Sequence, residues 1–155
     1  MGRKADIRRC IKSCGKMYET PTTSFGEAGK GFAVTVLVTP ACKVRVGLFA
    51  HDSGVSIRAY YGIDCPYDAV DRLLPILNEI NAGLIRGCFV LDSDRTLVFQ
   101  NFYPVDDPKK FDKGALAREV NVCVRTFYGI MGEIMPVVAA PAEEPDGDTY
   151  VIEVV

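Results

Sequence analysis

Histidine is almost absent from this chain: His51 is the only one among 155 residues. A multi-histidine metal site is thereby excluded. A Cys–His dyad would need a thiol to reach the Asp52-Ser53-Gly54 turn beside which His51 stands, and Cys42 and Cys65 are the candidates outside regular elements. Long apolar runs are missing too, none approaching the roughly 20 residues that span a bilayer. The first residues are charged where a secretion signal would carry an apolar core, and Asp6 stands where a myristoylation signal needs Ser or Thr. Positive charge is not in excess: 18 Lys and Arg face 20 Asp and Glu, for a net charge of -2. No overall basic field gathers phosphates, so neither nucleic acid nor membrane is an expected partner.

What is present fits one folded domain, with 48% hydrophobic and 25% charged residues. A chain of this length buries roughly 70% of the surface it exposes when unfolded, so its core needs neither disulfide nor metal. The six cysteines are therefore expected as reduced thiols in a cytoplasmic protein. Charge is uneven along the chain. Arg3, Lys4, Arg8, Arg9, Lys12 and Lys16 crowd one end, Glu143, Glu144, Asp146 and Asp148 the other. The basic group reads first as the solvated face of a helix, and second as a surface for an acidic partner.

Apolar Ile7, Cys10, Ile11, Cys14 and Met17 recur at three- and four-residue spacing and predict a helix over 6–18. TPTTSFGEAGKG (20–31) is rich in turn-formers and predicts a loop. Alternation then predicts strands over 32–39, 43–50 and 55–61, an antiparallel meander with one buried face. Asp64 and Pro66 signal the start of a helix over 66–83, with Pro75 as a kink or a delayed start. Strands over 85–92 and 96–103 form a hairpin turning at Ser93-Asp94, and a long helix follows over 112–135, ended by Pro136. Residues 1–138 thus make a single α+β domain, 139–148 an acidic Pro/Ala-rich linker, and 149–155 an extra short C-terminal strand. The order α-βββ-α-ββ-α implies a five-stranded, mainly antiparallel sheet with helices packed on one face.

Motifs for chemistry are weak, and no catalytic, cofactor-binding or metal-binding residue is assigned. Asp92-Ser93-Asp94 lacks the glycine and distant glutamate of a calcium loop and suits a hairpin turn. Gly26 to Gly31 lacks the Gly-Lys-Ser/Thr order of a phosphate loop and leads into a strand. Cys10 and Cys14, four apart on an apolar stripe, suit a core. Asn78 and Asn81, near a helix end, suit the capping of carbonyls or of the incoming strand's backbone.

The stretch LNEINAGLIRGCFVLDSDRTLVFQNF, from Leu77 to Phe102, resembles the YbjN family of sensory-transduction regulators. In that family an Asn pair near the end of the second helix precedes a strand, an acidic turn and another strand. Glu79 and Ile80 stand between the asparagines here, where the family often carries Trp, and this chain has no Trp. The resemblance implies a type III secretion chaperone-like fold, no cofactor, and a non-catalytic polypeptide-binding or regulatory module. A homodimer is expected, with Tyr60, Phe102 and Tyr103 as candidate interface residues, since aromatics favour interface cores, and Phe32 is a fourth strand-end ring. The alternative is a small thiol-dependent enzyme.

Overall fold

Alternation of apolar and polar side chains decides which way each strand faces, and the helices collect on the apolar side. The computed structural model describes residues 2–15, 23–28, 31–39 and 42–140. Its elements are α1 (Arg3–Ser13), β1 (Thr23–Ala28), β2 (Gly31–Thr39), β3 (Cys42–His51), β4 (Gly54–Asp64), α2 (Val70–Gly83), β5 (Cys88–Leu91), β6 (Thr96–Pro104) and α3 (Lys113–Ala139). A 3-10 turn, Tyr67–Ala69, leads into α2, and another, Pro108–Lys110, precedes α3. The strands form one sheet in the order β1-β2-β3-β4-β6-β5, with every neighbouring pair antiparallel. This is the expected α+β class, with the expected meander and second hairpin.

The sheet has six strands rather than five. Thr23–Ala28 pairs with β2 from Thr23↔Val36 to Ala28↔Gly31, where a loop was expected. An edge strand draws its hydrogen bonds from one neighbour, and that tertiary partner outweighs a composition rich in turn-formers. The order β4-β6-β5 also departs from chain order, because the hairpin after α2 inserts its second strand beside β4 and leaves β5 at the edge.

Val44, Val46 and Leu48 of β3 and Val55, Ile57 and Ala59 of β4 are buried on the helix side, as are Leu97 and Phe99 of β6. Ile7 and Ile11 of α1, Leu73 and Leu77 of α2, and Leu116, Val120 and Phe127 of α3 close over them. At the centre the Tyr61 ring stacks on Phe127 at 3.7 Å, and its hydroxyl donates to the Cys123 carbonyl at 2.8 Å.

Helix boundaries moved for identifiable reasons. The first helix starts at Arg3 because the Asp52 carboxylate, from the turn between β3 and β4, accepts from the Lys4 backbone N–H at 3.1 Å. That contact supplies the cap that Gly2 cannot. The Arg3 guanidinium donates to the carbonyls of Val105 and Asp106, tying the same end to the loop after β6. Residues 16–18 of the expected helix lie outside the described residues. Asp64 caps nothing: it ends β4 and accepts from Thr96 Oγ1 at 2.7 Å, so regular helix waits until Val70 and then runs through Pro75. Pro136 does not stop α3, which continues to Ala139 and so takes in the first residue assigned to the linker. Of the linker and the terminal strand, residues 141–155 lie outside the described residues. Among the described residues, α3 is long and apolar enough to cross a membrane by length and composition, contrary to the reading that no such run exists. One side of it packs on the core through Leu116, Val120, Cys123, Val124, Phe127 and Ile134.

Candidate functional site

Among the described residues no helix lies on the other face of the sheet, and strand register arranges its side chains in rows. Phe49, Ser56 and Phe102 form one row across β3, β4 and β6. Gly47, Arg58, Gln100 and Cys88 form the next, and Arg45, Tyr60, Val98 and Val90 the third. A cavity of about 650 Å³ opens over the first two rows, bounded by Phe49, His51, Arg58, Cys88, Gln100 and Phe102. A smaller one of about 390 Å³ adjoins it across Phe49 and reaches Arg45 and Tyr60. Glycine makes this relief possible. A Cβ on Gly47 would stand 2.8 Å from the Phe49 ring, so the ring lies where a side chain would otherwise rise. At Gly54, with φ +155°, a Cβ would meet the Tyr103 carbonyl oxygen at 2.2 Å, so only glycine admits the close approach of β6 there.

Arg58 occupies the centre. Its guanidinium carbon is 5.8 Å from the centroid of the Tyr60 ring, and its Nε is buried without a hydrogen-bond partner. Leaving such a donor unsatisfied costs about 1–3 kcal/mol. The three rows hold Arg45 and Arg58 and no carboxylate, so this patch is cationic on a chain of net charge -2. Gln100 beside it donates only to the Cys88 sulfur at 3.6 Å, a weak acceptor.

His51 ends β3 and is not merely solvated. Ser56 Oγ and His51 Nε2 are 2.7 Å apart, a nucleophile–base spacing, and the imidazole lies 6.3 Å from the Phe102 ring. A working Ser–His pair needs a third group to orient the imidazole. Adjacent Asp52 instead caps α1.

Tyr60 and Phe102 stand on this open face, with Phe102 42% exposed. Tyr103 falls on the opposite face, half-buried and edge-on to Phe111 at 6.2 Å. Phe32 is buried beneath Arg8, whose guanidinium carbon is 4.8 Å from the ring centroid. Of the basic cluster, Arg3 and Arg8 thus make specific contacts beyond solvation.

Cys88 lines the larger cavity, and Cys10, Cys14, Cys65 and Cys123 do not. Cys65 is buried, and burial pushes its pKa up; of Cys42, only the backbone at the start of β3 is described. Burial likewise raises Cys10, takes Cys14 to about 11 and takes Cys123 to about 12. Acidic turns serve the backbone. Asp92 Oδ1 accepts from the N–H groups of Asp94 and Thr96, both at 2.9 Å, in a four-residue turn whose Arg95 has φ 61°. Asp107 accepts from Lys109 N–H at 3.0 Å. Asn81 acts as the sequence suggested: its amide donates to the Phe89 carbonyl at 2.9 Å and accepts from the Phe89 N–H at 2.7 Å, fastening α2 to β5. Asn78 is exposed. No group of three His, Cys, Asp or Glu that could hold a metal occurs among the described residues.

Sequence reasoning missed Phe49, Ser56, Arg58 and Gln100 as neighbours. The signal for Ser56, Arg58 and Tyr60 was their alternation on the polar side of one strand. A scan against protein-family models found no match, and a search of curated proteins found none.

Proposed function

We propose that the chain is a non-catalytic polypeptide-binding or regulatory module whose working surface is the open face of the sheet. The observation that carries this reading is the set of three aromatic rings, Phe49, Tyr60 and Phe102, around Arg58 on a face that no helix among the described residues covers. One exposed and two half-buried aromatic rings beside an arginine suit an extended chain, which brings both apolar side chains and backbone or carboxylate acceptors. The YbjN and secretion-chaperone resemblance of the Leu77 to Phe102 stretch supports the same assignment. The proposal includes a cytoplasmic homodimer acting without cofactor, nucleic acid or membrane. The thiol-enzyme alternative loses ground because burial raises four thiols and thereby disfavours their nucleophilic thiolates.

A photo-crosslinking residue in place of Phe102 tests the reading in the source cells. The expected product is a discrete covalent adduct with a polypeptide, either a partner or a second copy of the chain. An equivalent residue at exposed Arg125 on α3 should give no such adduct. Equal adducts at both positions, or none at Phe102, would overturn the assignment. Light scattering separately tests the dimer, which predicts twice the 17.0 kDa chain mass.

A further inference from the structure

We infer that the larger cavity of the open face is a carboxylate site, in which Arg58 takes the acid group and Phe49 and Phe102 take an apolar body attached to it. The buried Nε of Arg58 has no partner, and the rows around it hold no carboxylate to neutralise the guanidinium. The Gln100 amide is held only by the Cys88 sulfur, and the Ser56 hydroxyl and His51 imidazole close the same cavity. The cavity lining thus carries the Arg58 guanidinium and no carboxylate.

A carboxylate fits this set better than a phosphate. With Nε buried, the two terminal nitrogens of the guanidinium form the planar edge that can pair two N–H groups with two oxygens of one carboxylate. A phosphate carries more charge, and it would meet one arginine here, no lysine and no helix N-terminus. The apolar part of the ligand follows from register. Phe49 and Phe102 lie one row from Arg58, two residues along each strand, so the body is offset from the acid by about 7 Å. That reach selects an aryl- or long alkyl-carboxylate over acetate. The volume of about 650 Å³ suits a compact ligand of this class. The site does not depend on the polypeptide reading, because the same chemistry is carried by a free acid and by a glutamate flanked by apolar residues in a peptide.

Two pairs of probes, titrated into the isotopically labelled full chain and followed by backbone NMR shifts, separate these sources. The free pair is 3-phenylpropanoate and its uncharged amide. The peptide pair is acetyl-Phe-Glu-Phe-amide and its Glu→Gln counterpart. Saturable binding of either acid, with shifts centred on Ser56, Arg58 and Gln100 and affinity about tenfold or more above its neutral twin, is the expected result. Arg58→Gln should abolish that preference, Arg58→Lys should keep part of it, and Arg125→Gln should leave it intact. Binding of the free acid alone identifies a small-molecule site and would count against the polypeptide reading; binding of the peptide alone identifies a peptide carboxylate. The proposal fails if neither acid saturates at millimolar concentration, if acid and neutral twin bind equally, or if Arg58→Gln and Arg58→Lys leave the preference unchanged.

Discussion

Tyr61 and Tyr60 are neighbours in β4 and point to opposite faces of the sheet. Tyr61 is buried, stacked on Phe127 and hydrogen-bonded to the backbone of α3, so its partners are all structural. Tyr60 is half-buried on the open face, where its contacts include the arginine next but one along its own strand. The contrast runs across the whole sheet. On the covered face, rings meet rings, as Phe89 meets Phe99 at 4.8 Å. On the open face, the Phe49 ring lies over a glycine, and Phe102 lies near a histidine and a glycine. Most of the buried apolar area, the main source of stability, belongs to the first face, whereas Val98 is buried on the second; buried nitrogens without a partner occur on both sides, at Arg58 on the open face and at Arg72 on α2.

The largest effect that could break this comparison comes from deleting one ring on each side. Phe127→Ala removes a fully buried ring and the stacking partner of Tyr61, and should lower unfolding free energy by about 3–5 kcal/mol in urea titration. Phe102→Ala removes a ring that is 42% exposed and should change stability by less than about 1 kcal/mol. Similar losses at both positions would show that the open face also carries the fold.

A smaller effect separates a hydrogen-bonded joint from packing. Asn81→Leu leaves the N–H and C=O of Phe89 without their side-chain partner, at a cost of about 2 kcal/mol. Hydrogen exchange should quicken in β5 before it does in β3. Uniform quickening over the sheet would mean that Asn81 supports the whole domain rather than one edge.

The next effect is a pH dependence confined to the covered side. Burial raises the Cys14 and Cys123 thiols from about 9 to about 11 and 12. Between those values the unfolded chain gives up protons that the folded chain retains, so rising pH favours unfolding. Their contribution is complete below pH 9 and is lost on the way to pH 12. Scanning calorimetry should show Tm falling above pH 9, with a shallower fall in Cys123→Ala. An unchanged slope in that variant would assign the alkaline loss to other groups.

Much of the covered face was legible because it repeats a rule: Val55, Ile57, Ala59 and Tyr61 alternate, and every one is buried. Asn81 was legible because an amide near a helix end has few uses besides satisfying backbone. The edge strand β1 was not legible, since Thr23–Ala28 contains a glycine and small polar residues and owes its conformation to pairing with β2. The open-face site was half legible. Alternation places Ser56, Arg58 and Tyr60 together, but Gln100 reaches Arg58 only because β6, not β5, pairs with β4. That choice is made by how the hairpin docks after α2, and no local pattern records it. Tyr103 lies on the covered face because it follows Phe102 directly, and adjacent strand residues face opposite ways.

The smallest effect on stability tests the finest part of the comparison. Gly47→Ala places a methyl 2.8 Å from Phe49 Cε2, 3.1 Å from its Cζ and 3.7 Å from Tyr60 Cε2. All three atoms belong to side chains on a face that no helix among the described residues covers, so the ring can tilt away without moving backbone. Alanine also has less freedom to lose on folding than glycine, worth about 0.4–1 kcal/mol in favour of the variant. The two contributions oppose each other, and the net change in unfolding free energy should stay within about 1 kcal/mol of zero. The cavities should respond more than the stability does, because Phe49 is the wall they share. Gly47→Ala should therefore weaken 3-phenylpropanoate binding severalfold while leaving Tm within a few degrees. A large fall in Tm would mean that Phe49 is held as firmly as the buried rings, and the two faces would then differ in exposure but not in rigidity.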